Sequence, residues 1–402
     1  MDPAHIVTEA PVGHRRQLLV LAAALVLAMS TWFSTAAVSS QLRDHWNLSS
    51  NEGSWLTIVV QLGFVAGAVL SSLTNLADRI RPRRLILLGA IGAAAANAAI
   101  VALDTYPSAV VARFVTGAFL AAVYPPALKA MSSWYRRGRG VALGVMIGAL
   151  TIGSALPHLI NALGGLDWQL TLIIASGATV AGGLLADRAT SDGPFASPVA
   201  PLDVSQLRVI IANRDFRLAS AGYFGHMWEL YAMWAWIAAF YGDVFASNRQ
   251  ASLAAFGAIA VGALGSLYTG VVSDRRGRAR AAAQAMRWSA FLSLVTGFLV
   301  DVPWPLPVAA GLVWGFWVVA DSAQFSTIVT EVVDERYRGT ALTMQLAAGF
   351  VLTVFTIFFV PVVRDAHGWG CAFALLSPGP LLGVWALHRL TNERSGSVPS
   401  VR

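Results

Sequence analysis

One cysteine, Cys371, and one lysine, Lys129, stand in 402 residues. A single thiol excludes an intrachain disulfide and any metal site built on a cysteine pair. Charge is scarce too: Asp, Glu, Lys and Arg make up 12% of the chain, whereas soluble domains carry about 25%. A water-soluble fold would have too few charges to cover its surface. The net charge of +7 is almost wholly arginine and confined to short connectors. No basic stretch with interleaved aromatics is long enough to follow a nucleic-acid groove, so nucleic acid is excluded as a partner. The seven histidines are scattered and no His-Glu-x-x-His occurs. Glycine-rich stretches fall inside apolar runs with no strand before them, so no phosphate loop is present. Neither a metal nor a cofactor is expected, and an enzyme embedded in the membrane is the remote alternative.

What the chain has in quantity is apolar sequence, 56% of it. Runs of roughly 20 residues, enough to cross a hydrocarbon core of about 30 Å, recur about twelve times. Their centres fall near Leu27, Gly63, Ala94, Leu120, Ile152, Gly177, Glu229, Gly262, Ser293, Ala320, Leu352 and Pro378. The last is broken by Ser377, Pro378, Gly379 and Pro380. Arg15 and Arg16 before an apolar run imitate a signal peptide, but the run continues to about Val38, which predicts a retained first helix. The fold class is an all-α membrane protein with twelve transmembrane helices.

Short cytoplasmic loops collect Arg and Lys. With the N-terminus inside, the inner side receives Arg15 and Arg16, Arg79 to Arg84, Arg136 to Arg139, Arg188 to Arg217, Arg275 to Arg280, Arg336 and Arg338. The outer side receives Arg43, Arg249 and Arg364. Both termini are therefore placed in the cytoplasm, in a multi-pass protein of the inner (cell) membrane. The expected divisions are a tail at 1–17, a six-helix bundle at 18–186, a cytoplasmic linker at 187–216 with Pro194, Pro198 and Pro201, a second bundle at 217–390, and a tail at 391–402.

An internal repeat supports the division. Arg137-Gly-Arg139-Gly140-Val-Ala142-Leu143 aligns with Arg336-Tyr-Arg338-Gly339-Thr-Ala341-Leu342, and Asp78-Arg79 with Asp274-Arg275, at nearly the same interval. Two parallel six-helix units follow. At this point the chain resembles the major facilitator superfamily of secondary transporters. That family's loop Gly-x-x-x-Asp-Arg-x-Gly-Arg-Arg is matched by Asp78, Arg79, Arg83 and Arg84, with Thr74 and Arg81 where glycines are expected. The second copy is cleaner, with Gly270, Asp274, Arg275, Gly277 and Arg278 in place. An aspartate at a helix end meets the N-terminus of a neighbouring helix while arginines stay at the inner surface, so these residues are read as a conformational latch. Arg113-Phe-Val-Thr-Gly117 is similar to the family's Arg-x-x-x-Gly pattern, which implies proton coupling. Gly148-Ala149 replaces the Gly-Pro pair of the family's drug antiporters, and Tyr124-Pro-Pro126, Lys129 and Ser132-Ser-Trp134-Tyr135 resemble nitrate-type and organic-anion porters.

A charge at the bilayer centre costs about 2.5 to 3.5 kcal/mol even on the permissive scale, so each needs a partner or a purpose. Glu229 shares one side of a helix with His226, Met233 and Trp236, an arrangement expected to face a central cavity. Asp321 is followed by Ser322, Gln324, Ser326 and Thr327. A desolvated carboxylate in either place can take up and release protons. Arg113 either snorkels outward or meets a carboxylate or anionic substrate, and His158 with Asn161 makes a satisfied polar helix end. Trp32, Phe33, Ser34 and Gln61, with Tyr124, His226, Trp236 and Gln324, are candidate cavity residues. The expectation is a monomeric, proton-coupled porter of a small solute, leaning to an organic anion. An efflux antiporter for drugs or metabolites and an uncoupled exchanger are the alternatives. Because the latch does not form the substrate site, Asp78→Asn should change the transport rate in proteoliposomes while leaving the order of preference among solutes as it was; a reordered preference would refute that division of labour.

Overall fold

A computed structural model describes residues 11–136, 138–164, 167–195 and 204–396, without the side chains of 77, 78, 164, 204 and 393–396. Asp78 as a latch residue, and Pro198 and Pro201 of the linker, therefore lie outside what is described. The described chain is helical. Its α-helices are α1 (His14–Ala28), α2 (Ser34–Ala37), α3 (Ser39–Trp46), α4 (Ser50–Leu73), α5 (Leu76–Arg79), α6 (Pro82–Ala99), α7 (Tyr106–Leu120), α8 (Tyr124–Ser132), α9 (Arg139–Gly164) and α10 (Trp168–Ala189). They continue as α11 (Leu207–Ala212), α12 (Arg214–Val244), α13 (Asn248–Ala260), α14 (Gly262–Arg276), α15 (Arg278–Thr296), α16 (Pro305–Ala320), α17 (Ser322–Val332), α18 (Arg338–Ala374) and α19 (Pro378–Gly396).

Among the described residues, eight helical stretches are long and apolar enough to cross a membrane, so the protein is an all-α, multi-pass membrane protein. Three further helices sit where crossings were expected. Helix α1 ends after 15 residues, α12 carries His226 and Glu229 within its apolar sequence, and α15 opens on RARAAAQAMR. One of the eight, Glu335–Asn392, spans 58 residues and contains a kink: α18 leaves helical geometry at Gly368. Beyond it the chain runs as Trp369–Ala374, breaks, and resumes as α19. The helix continues to Gly396, past the boundary expected at 390.

Charged turns mark one end of the fold. Arg84 pairs with Asp187 at 3.2 Å, Arg278 with Glu331 at 2.8 Å, and the Arg136 guanidinium lies over the Phe195 ring. This is called the arginine-rich end. At the opposite end Asn161 donates to Ser252 Oγ at 2.9 Å, and Arg364 donates to Ser50 Oγ at 3.1 Å. The loop copies differ in how they turn. The second ends α14 cleanly at Gly277, whose φ of 83° suits glycine. In the first, Asn75 takes the left-handed turn (φ 50°) ahead of Asp78, and Arg81 is extended because Pro82 follows it. A glycine at 81 is therefore unnecessary.

The repeat is visible in helix starts: α7 and α16 begin at Tyr106 and Pro305, and α9 and α18 at Arg139 and Arg338, both pairs 199 residues apart. Helices α4 and α7 pack closely because Gly63 and Gly117 let the backbones approach; a Cβ at Gly117 would run into the Val60 carbonyl. Gly117→Ala should therefore lower the thermal stability of purified protein by about 1–3 kcal/mol, measured as an earlier melting transition, whereas Gly177→Ala, which meets open space, should leave it in place.

Candidate functional site

Three contiguous cavities, of about 520, 300 and 100 Å³, lead inward from the arginine-rich end. Ser326 and Leu128 line all three. The widest is bordered by Arg136, Arg139, Asp274 and Arg278, and the deepest reaches Tyr124, Tyr223, His226, Tyr231, Trp234 and Phe350. Beyond the deepest lies a layer of rings. Trp32 packs on Phe64, Tyr231 and Phe350 at 4.8, 6.0 and 5.8 Å between centroids, and Phe33 meets Trp234 edge-on at 5.7 Å. Trp32, Phe33 and Phe64 come from α4 and from the gap between α1 and α2; their partners come from α12 and α18. This layer closes the cavity toward the opposite end.

Two ionisable groups meet at the cavity wall. His226, on α12, presents Nδ1 to Asp321 Oδ1 at 2.8 Å and Nε2 to Ser322 Oγ at 3.1 Å. Both His226 and Asp321 are buried, and the imidazole packs between Tyr223 and Phe325. Asp321 occupies the single-residue break between α16 and α17, where α16 ends and α17 begins. His226 and Ser322 line the cavity and Asp321 stands behind them.

Glu229 is placed differently from the expectation. It does not line these cavities; it is buried against α15 and α16, where Oε2 accepts from Ser289 Oγ at 2.5 Å and Oε1 from Trp314 Nε1 at 2.7 Å. The cavity side of α12 is instead Tyr223, His226, Met227, Leu230, Tyr231 and Trp234. Trp236 lies on the Glu229 side, its Nε1 donating to the Ile357 carbonyl at 3.0 Å.

Arg113 neither snorkels nor faces the cavity. Fully buried, its guanidinium donates to the carbonyls of Thr31 (2.9 Å), Trp32 (2.5 Å) and Leu56 (3.1 Å), to Asn97 Oδ1 (2.8 Å) and to Ser34 Oγ (3.3 Å). Thr31 and Trp32 belong to the gap where α1 has ended, and their carbonyls have no helical donor. Asn97 is fixed in turn by donating to the Leu172 carbonyl and to Ser176 Oγ. Among predicted cavity residues, Tyr124 and His226 line the deep cavity; Trp32 belongs to the ring layer, and Gln61 and Gln324 are buried with unpartnered amides. His158, expected to be satisfied, is buried with neither ring nitrogen partnered, whereas Asn161 bonds Ser252 and the Ala37 carbonyl.

The latch residues separate into two sets. Asp274 Oδ1 lies beside Gly140, at the N-terminus of α9, next to Gly270 across the α9–α14 contact, and Arg278 is paired with Glu331. In the first copy Arg83 reaches the Thr190 carbonyl at 3.5 Å, and Arg79 ends α5; Arg275 is in the last turn of α14. Sequence reading missed Ser289, Trp314, Tyr231 and Phe350. Asn97 was the one visible omission, an amide within an alanine-rich run.

A sequence model of the Major Facilitator Superfamily matches residues 20–246, more than half of the chain. Among curated proteins none matches. Among solved structures, 314 chains match. One is the crystal structure of the human organic anion transporter MFSD10 (TETRAN), at 14% identity and a TM-score of 0.71, covering 94% of this chain and 100% of that one. This likeness is one of fold.

Removing the Arg113 guanidinium would strand buried carbonyls, each at about 1–3 kcal/mol. Arg113→Leu should therefore destabilise the protein by roughly 3 kcal/mol or more, and Arg113→Lys, which lacks the planar fork, should rescue little of it. Melting curves in detergent check this; near-wild-type stability of the lysine variant would show that charge alone suffices.

Proposed function

The chain belongs to the Major Facilitator Superfamily and moves a small solute across a membrane; on that premise we propose that it does so by alternating access, coupled to protons. In this reading the helices form twelve crossings in two sets of six, bounded near residues 18–186 and 217–390, with the arginine-rich end and both termini in the cytoplasm. The arrangement described above is then the inward-facing one. Rocking of the halves would part the ring layer and close the arginine-rich mouth. The protein works as a monomer, in the inner (cell) membrane.

The observation that carries the reading is the His226–Asp321 pair. It joins the cavity wall on α12 to the break between α16 and α17, so a change in its proton content alters the contact that ties a continuous helix to a jointed one. Asp321 is the coupling carboxylate. Glu229, held by two donors, sets the electrostatic surroundings of the same half, and Arg113 holds the first half rigid. Asp274 at the start of α9 acts as the latch. The basic mouth, Lys129 and the resemblance of the Tyr124 to Gly140 stretch to organic-anion porters support an organic anion as solute; the fold likeness to an organic anion transporter agrees with it.

A concrete test uses proteoliposomes under an imposed pH gradient. Asp321→Asn should abolish uphill accumulation while leaving solute exchange at equal pH within about threefold of wild type, a change of under 1 kcal/mol. Accumulation driven by the gradient in the asparagine variant would remove the pair from the coupling mechanism.

A further inference from the structure

We infer that the groove between α12 and α19 at the arginine-rich end binds the headgroup of an anionic phospholipid, with Arg217 and Arg389 on its phosphate and the acyl chains along the exposed leucines of α19. The site lies on the outside of the fold, apart from the three cavities, and does not depend on which solute is carried.

The groove follows from the way α12 and α19 cross. A Cβ added to Gly225 would run into the Gly379 carbonyl, one added to Gly222 would meet Leu387, and Trp228 Nε1 donates to the Leu375 carbonyl at 3.0 Å. Advancing along α12 therefore means moving back along α19, so the two are antiparallel. The backbones touch at these glycines. One turn toward the start of α12, the larger Leu218 and Trp385 replace them and hold the helices apart. There a space of about 370 Å³ opens, lined by Leu218, Ala221, Trp385, Arg389, Arg214 and Arg217. Its volume falls in the range of small-molecule sites.

Charge and depth identify the occupant. Three of the six lining residues are arginines, and none of the described lining residues is a carboxylate. Asn213, just before α12, donates to the Val332 carbonyl at the end of α17, beside the Glu331–Arg278 pair, so the groove belongs to the arginine-rich end. Arg217 is held in place there: its Nη1 donates to the Ile211 and Ala212 carbonyls at 3.0 and 3.1 Å, which leaves the three donors on Nε and Nη2. Across the groove the Arg389 guanidinium lies over the Trp385 ring, 5.7 Å from its centroid. From Arg389 inward, α19 turns Trp385, Leu382 and Leu381 outward, each about half exposed. At 1.5 Å rise per residue, Leu382 lies about 10 Å from Arg389 along the axis. Cations, then a tryptophan, then leucines is the order in which a membrane boundary passes from headgroup to hydrocarbon. A soluble anion would use the arginines alone, whereas a phospholipid uses the arginines and the leucines. Paired guanidiniums match phosphate oxygens, and a zwitterionic head brings its own ammonium against them.

Native mass spectrometry of the full chain, released from detergent and titrated with dioleoylphosphatidylglycerol, tests the site. Dioleoylphosphatidylcholine supplies the same chains with a zwitterionic head, and glycerol 3-phosphate supplies a head without the chains. Phosphatidylglycerol should bind at least about fivefold more tightly than phosphatidylcholine, and Arg389→Gln should weaken it about fivefold. Arg217→Gln should do the same. Because Arg217 also holds the end of α11, its melting curve is compared with that of wild type; if it melts early, Arg389→Gln, whose contact is an exposed ring, carries the test by itself. Arg336→Gln, which alters an exposed arginine of the same end outside the groove, should leave binding within about twofold. Equal binding of the two lipids, or an Arg389→Gln effect no larger than that of Arg336→Gln, would overturn the site. Displacement of the lipid by glycerol 3-phosphate at equal concentration would overturn the phospholipid as occupant, since the chains would then contribute nothing.

Discussion

Backbone polar groups in a bilayer must find partners inside the protein, because lipid offers none. This fold interrupts its helices repeatedly at membrane depth, after Ala28, at Ala121 to Val123, at Val261, at Asp321 and at Leu375 to Ser377. Each interruption frees carbonyls and amides. The gap after Ala28 is the longest of these, and Arg113 meets it: a guanidinium with five donors in a plane satisfies the carbonyls of two consecutive gap residues and one from α4. The surrounding packing follows from that requirement. Gly117, one turn along α7, brings α4 close enough for Leu56 to share the same cation, and Asn97 links the network to α10.

The cavity depends on the same device used with a different residue. At Asp321 the break is a single residue with a carboxylate on it, and its partner is an imidazole on an unbroken helix. A cation donating to carbonyls has no second protonation state near neutral pH and makes a fixed joint. At the joint between α16 and α17 the contact is instead between two side chains, an imidazole and a carboxylate. Glu229 stays out of the cavity yet occupies the same half, one oxygen accepting from a serine and the other from a tryptophan.

Much of this was legible from the residues. Apolar runs placed the helices, and the paired Arg-Gly and Asp-Arg stretches placed the repeat, because both signals are local and periodic. Asp321 was picked out for the cost of a charge in lipid and His226 for sharing a helix face with Glu229, and the structure puts the two 2.8 Å apart. The error over Glu229 has a definite cause. Helical spacing correctly sets His226, Glu229, Met233 and Trp236 on adjoining positions of one face, but it does not say what that face meets. The cavity takes the neighbouring arc through Tyr223, Met227, Leu230 and Tyr231. Arg113 misled for a related reason: its partners are backbone carbonyls exposed by a helix break, and apolar sequence such as Leu27 to Phe33 carries no local mark of one.

The repeat shows that the two buried carboxylates Glu229 and Asp321 have uncharged counterparts in the first half. The 199 residues that separate Arg139 from Arg338 also separate Ser30 from Glu229 and Ala122 from Asp321. In both halves a donor from the fourth helix of the unit reaches the first: Arg113 reaches the carbonyls just after Ser30, and Trp314 reaches Glu229 itself. In both halves the fourth helix is also broken at the corresponding place, by Ala121, Ala122 and Val123 in one and by Asp321 in the other. The geometry is common and the chemistry is exchanged. The first unit breaks its first helix and stabilises the break with a permanent cation; the second keeps that helix whole, places a carboxylate where the break would be, and sets another at the joint of its fourth helix. The buried guanidinium of the first half is directed at backbone carbonyls, whereas Glu229 and Asp321 of the second meet side-chain partners.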